Sequence, residues 1–93
     1  MITPSPELRA TIHGLIAEIA QVDDRTLRGP DRLREDLGMD SLGSMELLSR
    51  ISAELRLDIE AEEAMDIQTV DDACSFVARR LAEGGGRDAT RDR

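Results

Sequence analysis

The stretch Asp36-Leu37-Gly38-Met39-Asp40-Ser41-Leu42 has the clearest chemical content in this sequence. Its glycine signals a turn, and the apolar residues after Ser41 recur at helical spacing, so a loop hands over to a helix here. Asp40 or Ser41 is the natural N-cap, because both residue types accept hydrogen bonds from the free amides of a first turn. That places the Ser41 hydroxyl on the surface beside a helix N-terminus. Free N–H groups and the positive end of the helix dipole tolerate a phosphate well at such a place. Met45 and Leu48, on the next turns, offer an apolar wall beside the serine. Composition and spacing alone take Asp40 and Ser41 no further than a helix cap.

No other constellation competes with this one. His13 is the only histidine and Cys74 the only cysteine. Neither an internal disulfide nor a Cys/His metal site follows from such a set, and no metal is expected. No nucleophile–base pair or phosphate-binding glycine loop is present, so an enzyme in its own right is the weakest reading. Gly84-Gly85-Gly86 has no strand before it and no helix after it.

The elements that must position Ser41 are helical. Leu8, Ile12, Leu15, Ile16 and Ile19 recur at three- and four-residue steps over Ser5 to Ala20, with Ser5 as N-cap and Pro6 at the first helical position. Gly14 inside this segment is either a close-packing site or merely tolerated. From Gln21 to Asp40 the periodicity fails, which predicts a long loop with Leu27, Leu33 and Leu37 as its apolar anchors. A second helix runs from about Ser41 to Leu55, with Leu42, Met45, Leu48, Ile51 and Leu55 as an inward stripe widened by Leu47. Ala61 to Met65 form a short third helix, and Leu57 and Ile59 before it are buried. The last helix covers about Val70 to Ala82 and turns Val70, Ala73, Val77 and Leu81 inward. Thr69 and Asp72 resemble a capping box. Cys74 is expected to be semi-buried and inert, and Phe76 to belong to the core.

The expected fold is therefore all-α: a small antiparallel four-helix bundle of three main helices plus a short one, with a long loop between the first two. With 93 residues the chain holds one domain, assigned to residues 1–83, with a flexible tail over 84–93. Twenty acids against twelve arginines give a net charge of −8, which disfavours nucleic acid and anionic membranes and suits basic surfaces on partner proteins. No apolar run approaches membrane-helix length and the start lacks a signal-peptide pattern, so a cytoplasmic, free-standing monomer is expected.

The motif Asp36 to Leu42 is similar to the attachment motif of acyl carrier proteins, D-L-G-x-D-S-L. The resemblance continues through Met45-Glu46-Leu47, Glu54, Ile59 and Thr69-Val70, and covers about Pro6 to Leu81. It implies that Ser41 carries 4′-phosphopantetheine, transferred from coenzyme A by a separate phosphopantetheinyl transferase, with Asp40 and Leu42 as its neighbours in the motif. The thiol of that arm would hold acyl groups as thioesters, and the partners implied are acyltransferase, ketosynthase or acyl-activating enzymes. The second helix is the recognition helix in this family, and Glu46, Met45 and Asp36 are the residues that would meet partners. Met45, Leu47, Ile51, Ile59, Ala64 and Val70 are candidates for a space that takes the acyl chain, and they read equally well as an ordinary aliphatic core.

Departures from the family pattern bear on the pathway. Gly43 stands where many members have an acid, Ser49 where a larger apolar residue is frequent, and Arg50 puts a positive charge on the recognition helix. Gly43 also lowers the helicity of the first turn, which suits a mobile junction. These features lean toward polyketide or related secondary metabolism rather than fatty-acid synthesis. A peptidyl carrier is a further form of the same reading. The alternative from another class is an acidic helical interaction module whose serine is never modified.

Overall fold

The computed structural model describes residues 4–83. Its first helix, α1, spans Pro6–Ala20, and local chemistry fixes its start. The Ser5 hydroxyl accepts a hydrogen bond from the Leu8 amide at 3.1 Å, and the ring of Pro6 presets the first helical φ. Ile12, Leu15, Ile16 and Ala17 share one side and are buried. Gln21 ends the helix in the left-handed region and donates its N–H to the Ala17 carbonyl. At Gly14 an added Cβ would meet no atom within 4 Å, so this glycine is tolerated rather than required by packing.

The long connection is ordered by pairing with a distant segment. Asp23 caps a short 3-10 turn at Asp24–Thr26, and its bond to Arg25 holds the Asp23 carboxyl below the ordinary carboxylate range. Further along, the Leu33 amide donates to the Gln68 carbonyl at 2.9 Å and the Val70 amide to Asp31 at 3.0 Å. The Asp71 amide donates to Gly29 at 2.9 Å, beside an isolated antiparallel bridge between Arg32 and Thr69. Two of these donors, Val70 and Asp71, are first-turn amides of the last helix, which have no partner inside it. Leu27 and Leu33 are buried anchors, while Leu37 is half-buried.

The second helix, α2, is Ser41–Leu55, and the last, α3, is Val70–Ala82. Between them Ala61–Asp66 is a 3-10 helix, so the expected short third helix exists in the tighter form. Among the described residues the regular elements are all helical. α1 packs on both α2 and α3, and the 3-10 helix packs on α2. Ile12, Ile16, Leu47, Ile51, Val70 and Val77 meet in one aliphatic cluster, with Phe76 beside them. Each such side chain contributes about 1.5–3 kcal/mol of burial energy.

Four expectations about burial change, the first being Ile59, which is half-buried while Leu57 is buried as expected. Leu42 is 77% exposed and Met45 52%, so of the expected inward stripe of α2 Leu47, Leu48 and Ile51 are buried, Leu55 is half-buried, and its first two members face out. Leu81 lies in the last turn of α3 and is exposed. Cys74 is fully rather than half buried, and burial pushes its thiol pKa up, with Arg9 opposing. The tail expected over 84–93 lies outside the described residues.

Candidate functional site

Asp40 is the N-cap of α2. Its carboxylate accepts a hydrogen bond from the Gly43 amide at 2.9 Å, and its backbone is extended. The cap bond therefore comes from Asp40, and the Ser41 hydroxyl is left out of it. Ser41 is the first residue of the helix and is exposed. A hydroxyl at that place sits within reach of the first-turn amides and the positive end of the helix dipole.

The loop before Ser41 is held by three devices. Gly38 takes φ +70°, a left-handed conformation that side chains with a Cβ adopt only at a cost, which explains the glycine of the motif. The Met39 amide then donates to the Leu33 carbonyl at 2.8 Å. The Met39 side chain is buried and lies where a Cβ on residue 43 would stand, 2.8 Å from its Cγ. Gly43 thus makes room for Met39 under the first turn of α2. That packing role replaces the mobile junction expected from its low helix propensity. Met39 is the functional-site residue missed by the sequence reading. It holds the N′ position, but Ser44 stands at N4 where a hydrophobic staple needs an apolar partner, so no local pattern marks it.

Asp36 is exposed and bonds back to its own loop. Its carboxylate accepts from the Arg32 amide at 2.8 Å and pairs with the Arg32 guanidinium at 3.8 Å. Glu46 is exposed on α2 and stands 4.0 Å from Arg50, whose guanidinium also binds Glu18 of α1. The positive charge of Arg50 is thus taken up within the molecule.

A groove of about 500 Å³ opens beside Ser41. Met45 and Leu48 form its α2 side, and Ala64 and Met65 its 3-10 side. Leu33 and Ile67 also line it, and Arg34, Glu35, Ser44 and Gln68 add polar groups. Of the six residues expected to line an acyl space, Met45 and Ala64 are at the groove. Leu47, Ile51 and Val70 are instead sealed in the packed core, and Ile59 packs against its edge. The groove therefore borders the core at Leu33 and Leu48, between α2, the 3-10 helix and the loop that pairs with residue 68.

Residues 10–77 match the family model for the phosphopantetheine attachment site. This chain belongs to the acyl carrier protein family. An acyl carrier protein of Treponema pallidum is 33% identical over 75 residues, which cover 81% of this chain and 96% of that one. One from Thermosynechococcus vestitus is 30% identical over 76 residues, covering 82% and 94%. Among solved structures, that of a candidate acyl carrier protein from Anaplasma phagocytophilum superposes with a TM-score of 0.75 at 27% identity, covering 84% and 92%. Domains of this family carry covalently attached 4′-phosphopantetheine. Among the described residues no helix is long and apolar enough to cross a membrane.

Proposed function

We propose that Ser41 is the attachment residue, and that the chain carries acyl intermediates as thioesters between enzymes of polyketide or related secondary-metabolite biosynthesis. The observation that carries the attachment is the exposed Ser41 at the mouth of the groove, with the cap supplied by its neighbour. When bound, the phosphopantetheine arm supplies a terminal thiol for acyl groups. This chain's own residues hold and present that arm. The α2 N-terminus favours the phosphodiester on Ser41. The apolar stretch of Met45, Leu48 and Met65 suits the arm and the acyl group, and Arg34 and Gln68 offer hydrogen bonds at the rim.

Loading is the work of a phosphopantetheinyl transferase, since the one histidine lies on α1 and not at Ser41. Leu42, Met45 and Glu46 face solvent beside Ser41 and form the surface that partner enzymes meet. That surface is weakly acidic, with Glu46 and Glu54 against Arg50 along α2. The weak charge supports a partner set other than that of primary fatty-acid synthesis. An acidic surface speeds encounter with a basic partner more than it tightens the complex.

Incubation with coenzyme A, magnesium and a broad-specificity phosphopantetheinyl transferase, followed by intact mass measurement, tests the carrier reading. One added phosphopantetheinyl group is expected in the wild type and none in Ser41→Ala. Equal gains in both would move the site away from Ser41.

A further inference from the structure

The 3-10 helix Ala61–Asp66 forms one wall of the groove, yet none of the side chains described in it is buried. Burial of an apolar face is what ordinarily fixes a helix in a protein. This wall packs on α2 with Ala64 only half-buried, and Met65 is 77% exposed. Local bonds shape the segment. The Glu63 amide donates to the Glu60 carbonyl at 3.0 Å, and the Ile67 amide to Ala64 at 2.9 Å. The Glu63 carboxylate reaches back to the Glu60 amide at 2.9 Å. None of these bonds ties the segment to the rest of the molecule.

Arg80 of α3 does. Its guanidinium pairs with the second oxygen of the Glu63 carboxylate and donates to the Asp58 carbonyl. It lies 5.6 Å over the Phe76 ring, and its side chain is only 17% exposed. One carboxylate, Glu63, thus joins the cap of the 3-10 helix to α3. The planar guanidinium, held by two acceptors and an aromatic face, is a firmer tie than an exposed ion pair.

We propose that Arg80 is a positioning residue for the groove beside Ser41. It fixes the Ala61–Asp66 wall against α3, and so sets how closely the groove covers what Ser41 carries. The inference rests on the groove being the place of the arm and its cargo, and its test is built in two arms to separate the two.

The first arm uses the unmodified chain. Arg80→Met removes the guanidinium and keeps an apolar stem on Phe76. Glu63→Gln weakens the tie and keeps an acceptor for the Glu60 amide. Amide hydrogen exchange should be about tenfold faster at Glu63 and Ile67 in both variants, with Ile16 and Ile51 unchanged. Arg80→Lys should recover part of the protection. Unchanged exchange at Glu63 and Ile67, or equal acceleration at all four amides, would overturn the proposal. The second arm uses octanoyl-loaded protein and hydroxylamine as the probe. Thioester cleavage should be at least about threefold faster in Arg80→Met than in the wild type. Equal cleavage rates would overturn the link between the wall and the cargo, even where the wall loosens. Failure of Ser41 to load would count against the carrier reading alone, because the exchange arm needs no loading.

Discussion

The starts of α2 and α3 use the same capping chemistry for opposite ends. At α3 the Thr69 hydroxyl accepts from the Asp72 amide at 3.0 Å, and the Asp72 carboxylate accepts from the Thr69 amide at 3.1 Å. The first residue behind that reciprocal cap, Val70, is 0% exposed, and its amide is paired with the long loop. At α2 a single bond from Asp40 does the capping. The first residue behind it, Ser41, faces solvent, and Leu42 after it is exposed as well. One helix start has a reciprocal cap and a buried first residue and serves the fold. The other is left open at its hydroxyl, which is what a covalent attachment by another enzyme requires.

The difference can be broken most forcefully from below. Met39 is the buried residue under the start of α2, so Met39→Ala should cost about 2–5 kcal/mol in chemical denaturation. The same variant should slow loading of Ser41. A loss below about 1 kcal/mol would mean that the loop is held by its backbone bonds alone.

The caps themselves come next in size. Thr69→Ala removes one side of a reciprocal pair and should cost about 1–2 kcal/mol, while Asp40→Ala should cost about 1 kcal/mol. Thermal or urea unfolding of both variants checks the order. A larger loss at Asp40 would reverse the comparison. Gly43→Ala sharpens it further. A glycine-to-alanine change inside a helix normally gains about 1 kcal/mol. Here the new Cβ would press on Met39, and the gain should vanish.

The smallest effect is one of pH, on the closed side. Cys74 of α3 is buried, and its thiol pKa is raised by that burial. Above pH about 8.5 the unfolded chain gives up this proton while the folded chain keeps it. The contribution is thus complete below that pH and is lost as pH rises through the raised value. The wild type should lose more stability than Cys74→Ala between pH 8 and 10, measured by urea unfolding. Parallel slopes would exclude the thiol as the cause.

Much of this contrast was legible in the residues. The bounds of α1, α2 and α3 follow from apolar spacing and capping residues, and the Thr69–Asp72 box is visible as a pattern. Asp40 and Ser41 stood out together, but which of them caps was settled only by the bond to Gly43. The inward side of α2 was legible in part: Leu47, Leu48 and Ile51 are buried as their spacing suggests, and Leu42 and Met45 are not. Leu42 and Met45 extend an apolar stripe as plausibly as Leu47 does, and only contact with α1 decides between them. The groove was hidden for a related reason. Two of its members, Arg34 and Gln68, come from segments brought together by the pairing of Leu33 with Gln68, a non-local contact that no periodicity reports. Residues 1–3 and 84–93 are outside the described part of the chain.

The central claim is that the open helix start carries the arm on Ser41 itself. Cleavage after arginine releases the peptide Glu35 to Arg50, which contains Ser41, Ser44 and Ser49. Fragmentation of that peptide from the loaded protein should place the whole phosphopantetheinyl mass on Ser41, with Ser44 and Ser49 unmodified. A modification on Ser44 or Ser49, or one that persists in Ser41→Ala, would contradict it.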